Sequence, residues 1–154
     1  MAQKPIIIGC DNAAVGLKNA IKTVLDEQGI AYEDVGVGSE ADGTAYPSIA
    51  EKVAQEIIKS NYAKEGILIC GTGIGMSIAA NKFPGIYAAV CHDTYSAERA
   101  RLSNNSNVLC MGARVIGLEL AKKVATEWLR LEFQGGRSAQ KLQVIREIEN
   151  RQMK

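Results

Sequence analysis

The chain is short of the residues that most often carry conspicuous chemistry. It holds a single histidine, His92, in 154 residues. Protein zinc sites draw on several histidines and cysteines at characteristic spacings. The four cysteines, Cys10, Cys70, Cys91 and Cys110, follow none of them, so no metal site is expected. Aromatic residues make up 5% of the chain against 47% hydrophobic overall. The core must therefore be aliphatic and alanine-rich, as in α/β proteins. Basic and acidic residues nearly cancel, 18 against 17, which removes any global reason to expect nucleic acid or an anionic membrane as partner. No apolar run approaches the ~20 residues of a membrane span. Met1 to Pro5 leads straight into an apolar strand, so no signal peptide is expected. Unpaired thiols in the cytoplasm fit that reading.

What is present is a regular alternation of strand and helix signals. Strands are expected at Ile6 to Cys10, Ala31 to Val37, Gly66 to Cys70, Ile86 to Cys91 and Val108 to Met111. Helices are expected at Ala14 to Gln28, from Pro47 onward, and at Ile74 to Lys82, Thr94 to Leu102 and about Gly117 to Leu131. The apolar positions Val15, Leu17, Ile21, Val24 and Leu25 keep helical spacing, and Gly29 stops the run. Five such units imply a five-stranded parallel sheet with helices on both faces. No repeat breaks the pattern, so residues 1–154 read as one domain. A last helix at about 137–152 follows the completed sheet and is too polar for a core helix. It is expected to pack on a partner subunit.

In an open parallel sheet, ligands bind beyond the carboxyl ends of the strands. The segments expected there include Cys10-Asp11-Asn12, Gly38 to Pro47, Cys70 to Gly75, His92-Asp93 and Met111 to Arg114. The most informative run is Ile67-Leu68-Ile69-Cys70-Gly71-Thr72-Gly73-Ile74-Gly75: a buried strand, a thiol, then a glycine-rich turn opening a helix. Backbone amides in such a turn can hold an anion, and the same positive field favours the thiolate over the thiol. The run is too compact for a dinucleotide fingerprint and lacks the lysine of a triphosphate loop. Taken alone it is also compatible with a tight turn that needs glycine only for its backbone. Asp11 can steer hydroxyls or move protons, and it can equally cap its own turn. Arg114, Arg137 and Lys141 are candidate anion binders, the last two four apart on one helical face; each alone reads as ordinary solvated surface. Tyr46 before Pro47 can be a helix entry, and His92 a satisfied loop residue.

With these residues assembled, the chain resembles the ribose-5-phosphate isomerase B family, which also includes galactose-6-phosphate isomerase subunits. The likeness rests on Gly9-Cys10-Asp11, Tyr46-Pro47, Ile69 to Gly75 followed by Ser77 to Lys82, Tyr95-Ser96-Ala97, Asn104 to Leu109, Gly112 to Ala121, and Gly135-Gly136-Arg137. It implies a Rossmann-like three-layer α/β/α sandwich, and a homodimer, with pairing into tetramers left open, whose sites lie at the subunit interface. It also implies aldose–ketose isomerisation of a sugar phosphate, without metal or other cofactor, through a cis-enediolate. Cys70 would be the base, with Thr72 and the amides of Gly71, Gly73, Ile74 and Gly75 around the enediolate. Asp11 would assist ring opening, Tyr46 and Asn104 would contact hydroxyls, and Arg114, Arg137 and Lys141 would hold phosphate.

Three departures from the family pattern bear on substrate. Asn12 stands where the family usually has histidine after the aspartate, Ser103 stands where it has the histidine linked to ring opening, and Ser138 replaces a third. Lys141 replaces an arginine and gives up its paired donors. Ribose 5-phosphate to ribulose 5-phosphate is the first reading. The alternative is another phosphosugar, a tetrose 4-phosphate or hexose 6-phosphate, and a third is a phosphosugar-binding module without catalysis. A four-carbon ketose 4-phosphate cannot close a furanose ring, which would relieve the need for the ring-opening histidine.

Overall fold

The computed structural model describes residues 3–153, so the expectations touching Met1, Ala2 and Lys154 lie outside it. Strands β1 (Ile6–Cys10), β2 (Tyr32–Asp34), β3 (Glu65–Cys70), β4 (Ala88–Val90) and β5 (Val108–Gly112) form one sheet in the order β2-β1-β3-β5-β4. Every pairing is parallel. The three inner strands are buried along their whole length. Near-continuous apolar runs such as Ile6-Ile7-Ile8 and Ile67-Leu68-Ile69 are what a strand covered on both faces requires.

Helices α1 (Val15–Glu27), α4 (Thr94–Leu102) and α5 (Leu118–Arg130) share one side of the sheet, while α2 (Tyr46–Lys59) and α3 (Ile74–Ala80) pack together on the other. This is the expected three-layer sandwich. The edge strands are shorter than the sequence suggested. Beyond Asp34 the hydrogen bonding to β1 continues through Val35 N–H to Ile8 O (2.9 Å) and Val37 N–H to Cys10 O (3.1 Å), but Gly36 between them presses on the Gly9–Cys10 backbone and bends the chain. Before β4, Ile86 N–H is taken by a turn bond to Phe83 O (3.2 Å), and Tyr87 N–H donates to the Asn107 side-chain oxygen (2.8 Å).

The sixth helix, α6 (Arg137–Gln152), buries only Leu142. It is tied to its own chain near its end, where the Glu149 carboxylate accepts from Gly85 N–H (2.9 Å) and Tyr87 O–H (3.0 Å). Val144, Ile145 and Ile148 remain exposed. Among the described residues, no helix is long and apolar enough to cross a membrane.

Candidate active site

Cys70 closes β3 in the middle of the sheet, between β1 and β5. The residue is 5% exposed, and its sulfur accepts the N–H of Gly73, in the turn that follows, at 3.1 Å. Gly73 makes that bond from φ +79°, a left-handed conformation that suits glycine, and a β-carbon there would lie 2.7 Å from the Met111 carbonyl carbon. The turn is therefore a packed structure, held from behind by β5.

The loops after β3 and β5 are joined by two backbone bonds, Ala113 N–H to Cys70 O (2.9 Å) and Arg114 N–H to Gly71 O (3.0 Å). They lay Arg114 across the turn: a β-carbon on Gly71 would stand 3.2 Å from its Nη1. Tyr46, first residue of α2, lies against Gly75 so closely that a β-carbon there would meet its ring at 2.3 Å and its hydroxyl oxygen at 2.6 Å. Gly71 and Gly75 thus make room for the side chains of Arg114 and Tyr46, a reason for glycine that the turn's shape alone does not give. Thr72 is exposed, and its hydroxyl accepts from Ile74 N–H at 3.3 Å. The first amides of α3 have no intrahelical acceptor, as at any helix start.

Asp11 reaches the same rim. Its N–H donates to Ile69 O (3.3 Å), one residue before Cys70, and its Oδ1 accepts from Ala13 N–H (3.0 Å). It therefore caps its own turn and still stands beside β3, with Asn12 exposed next to it. The structure thus gathers Asp11, Asn12, Tyr46, Cys70 through Gly75 and Arg114 at one edge of the sheet.

It does not bring the remaining candidates to that edge. Each helix of a parallel sheet runs back against the strands, so the end of α4 lies at the opposite edge. There Ser103 caps α4, its hydroxyl accepting from Arg99 Nη1 at 3.2 Å, and Asn104 follows it. Arg137 and Lys141 are exposed on the first turns of α6. Cavities of about 420, 400 and 510 Å3 open elsewhere in the chain, and none is lined by Cys70.

The other cysteines behave as buried hydrophobes. Burial pushes the Cys10 and Cys91 thiols up to about 11 and Cys110 higher still. His92 is a satisfied loop residue, as expected: Nε2 accepts the Gly112 N–H at 2.8 Å. That bond, at the end of β5 behind the turn, escaped the sequence reading. Burial holds the imidazole below its ordinary range against the opposing pull of Asp93. As pH falls through about 6.5 the unfolded chain takes up its proton first, so stability declines until the folded His92 is protonated too. Urea midpoints at neutral and mildly acidic pH should therefore fall more for this protein than for its His92→Gln variant.

A family model described as Ribose/Galactose Isomerase matches residues 6–145. The chain belongs to this family. It is 51% identical over 140 residues to a D-erythrulose-4-phosphate isomerase of Pectobacterium atrosepticum, covering 91% of each chain. It is 46% identical over 148 residues to ribose-5-phosphate isomerase B of Escherichia coli, covering 96% of this chain and 98% of that one. Among solved structures, ribose-5-phosphate isomerase B of Clostridium thermocellum superposes with a TM-score of 0.90 at 43% identity, over 96% of this chain and 98% of that chain. The family's chemistry is aldose–ketose isomerisation of sugar phosphates, and this chain is such an isomerase.

Proposed function

We propose that the enzyme interconverts ribose 5-phosphate and ribulose 5-phosphate, with Cys70 as the base that moves the carbon-bound proton. The observation that carries this reading is the sulfur against the glycine turn, 3.1 Å from the Gly73 amide nitrogen, with Arg114 lying across Gly71 and Tyr46 against Gly75. The deprotonated sulfur takes the C2 proton of the open-chain aldose, and the electron pair of that C–H bond moves into the enediolate. The negative charge collects on oxygens that face the turn amides and the Thr72 hydroxyl. The protonated sulfur then returns its proton to C1, while the hydroxyl proton passes between the two oxygens. Preorganised donors of this kind are worth about 3–4 kcal/mol each at the transition state. Asp11, beside β3, handles protons at the ring oxygen.

Phosphate is held by Arg137 and Lys141, and hydroxyls by Asn104, from a second copy of the chain. This follows from the division of the candidates between two opposite edges of one chain. Exposed apolar residues on both parts, Ile74, Ile78 and Leu118 near the rim and Val144, Ile145 and Ile148 on α6, favour such pairing. The four free cysteines fit work in the cytoplasm.

A second reading, a tetrose 4-phosphate as substrate, is favoured by one observation. The hydroxyl at position 103 is occupied by Arg99 and offers no group able to shuttle protons near neutral pH, so ring opening is left to Asp11 and water. The likeness to a D-erythrulose-4-phosphate isomerase points the same way. Initial rates with ribose 5-phosphate and erythrose 4-phosphate, measured side by side, decide between them. The first reading expects the larger kcat/KM for the pentose; turnover of the tetrose alone overturns it.

A further inference from the structure

One side chain ties together the two segments that the paired enzyme needs to place. Arg101, on the last turn of α4, is almost completely buried. Its Nη1 and Nη2 donate to the two carboxylate oxygens of Glu65, at 2.6 and 2.8 Å, in a fork-to-fork pair at the start of β3. Nη1 also donates to Ser106 O at 2.7 Å, and Nε reaches Trp128 O at 2.9 Å and Leu131 O at 3.1 Å. The guanidinium lies 3.9 Å from the centre of the Trp128 ring.

These partners are not spread evenly through the core. Ser106 closes the turn that carries Ser103 and Asn104. Trp128 lies in the last turn of α5 and Leu131 directly after it, and the Trp128 carbonyl also accepts the Leu131 N–H at 3.5 Å. From Leu131 the chain runs without regular structure to Gly135 and Gly136, both at positive φ (+74° and +68°), and enters α6 at Arg137. Asn105 and the 129–133 segment line the same cavity of about 400 Å3, with Arg101 in its wall. Among the described residues, no other side-chain hydrogen bond links Ser106 to the end of α5.

We propose that Arg101 is a positioning residue: its five hydrogen bonds set the Asn104 turn and the exit of the chain toward Arg137 in one fixed relation, so that hydroxyl and phosphate contacts reach the substrate together. The proposal rests on the reading that Asn104 and Arg137 serve one site. A planar fork can hold a carboxylate and three carbonyls in one geometry, and lysine, a point charge with three donors on a flexible stem, cannot. The rest of the machinery, Cys70 and its turn, stands at the other edge of the sheet and is untouched. Loss of Arg101 therefore weakens substrate binding and spares the proton transfer.

The test pairs Glu65→Met/Arg101→Met, which removes both charges together and leaves no buried ion alone, with Arg137→Ala. Steady-state constants and competitive inhibition by inorganic phosphate are measured for each and for the triple variant. The double variant should fold cooperatively, raise KM and the phosphate inhibition constant by about tenfold, and keep kcat within about threefold. In that background Arg137→Ala should cost clearly less than it does alone, because coupled residues are not additive. A folded double variant with unchanged KM overturns the proposal, as do additive effects with kcat falling in step with stability. Should the double variant fail to fold, Arg101→Lys, which keeps the charge opposite Glu65, takes its place with the same expected split. Arg137→Ala without effect on either constant overturns the underlying phosphate reading, and this proposal with it.

Discussion

Cys70→Ala should lower kcat by about 10³-fold while KM stays within a few-fold, since the thiol acts on the carbon-bound proton and not on the phosphate. The fold should survive. Alanine keeps the strand end buried, and the substitution gives up one hydrogen bond, that from the Gly73 amide. A urea titration beside the kinetics separates the two effects: an unfolding midpoint near that of the parent with collapsed kcat is the expected pair. Cys70→Ser is informative as well. It keeps a proton donor and acceptor in place of the sulfur, but serine is a far weaker base near neutrality, so its rate should stay close to that of alanine. A serine variant with near-parental kcat would assign the proton transfer elsewhere.

Gly112→Ala should be the most damaging change outside the residues that touch substrate. A β-carbon there would lie 2.5 Å from the Thr72 carbonyl carbon and Cα, and 2.6 Å from its carbonyl oxygen. These are backbone atoms, so no side chain can swing aside to relieve the clash. Either the Gly71–Gly73 turn moves out or β5 moves back, and the second would break the Gly112 N–H bond to His92. Overpacking of this kind costs about 1–3 kcal/mol. Displacement of the donors by about 1 Å should cost kcat about 100-fold. Calorimetry and steady-state kinetics on the one variant check both figures. Gly75 is the contrasting case, because there a β-carbon meets the Tyr46 ring, a side chain free to rotate.

The architecture was largely legible from the alternation of apolar runs and helical stripes. Helices α4 and α6 have the bounds expected of them, Thr94–Leu102 and Arg137–Gln152, the latter directly after Gly135-Gly136. Both edge strands came out shorter than expected, because an edge strand pairs on one side only and an apolar run there no longer fixes its ends. The rim side of the site was legible for a topological reason: Cys70 ends one strand of a parallel sheet, Asp11 and Arg114 follow two others, and so all three must share an edge. Ser103 and Asn104 were beyond that argument. They follow a helix and a single chain sends them to the far edge, so only the family resemblance linked them to Cys70. Glu65 and Arg101 were missed altogether. Their signal was a charge at positions that strand and helix periodicity would bury, and buried charges must find partners. Lys18 carries the same signal: it is buried on the apolar face of α1 and bonded to Asp34 and Val37 O.

The central claim is that the Cys70 sulfur moves a carbon-bound proton beside the glycine turn. Isomerisation in deuterated water, with product analysed by mass spectrometry and proton NMR, tests it most directly. The parent enzyme should incorporate solvent deuterium at the carbon that receives the proton, and Cys70→Ala, folded and still binding substrate, should lose both turnover and exchange. Exchange continuing in that variant at the parental rate would contradict the account.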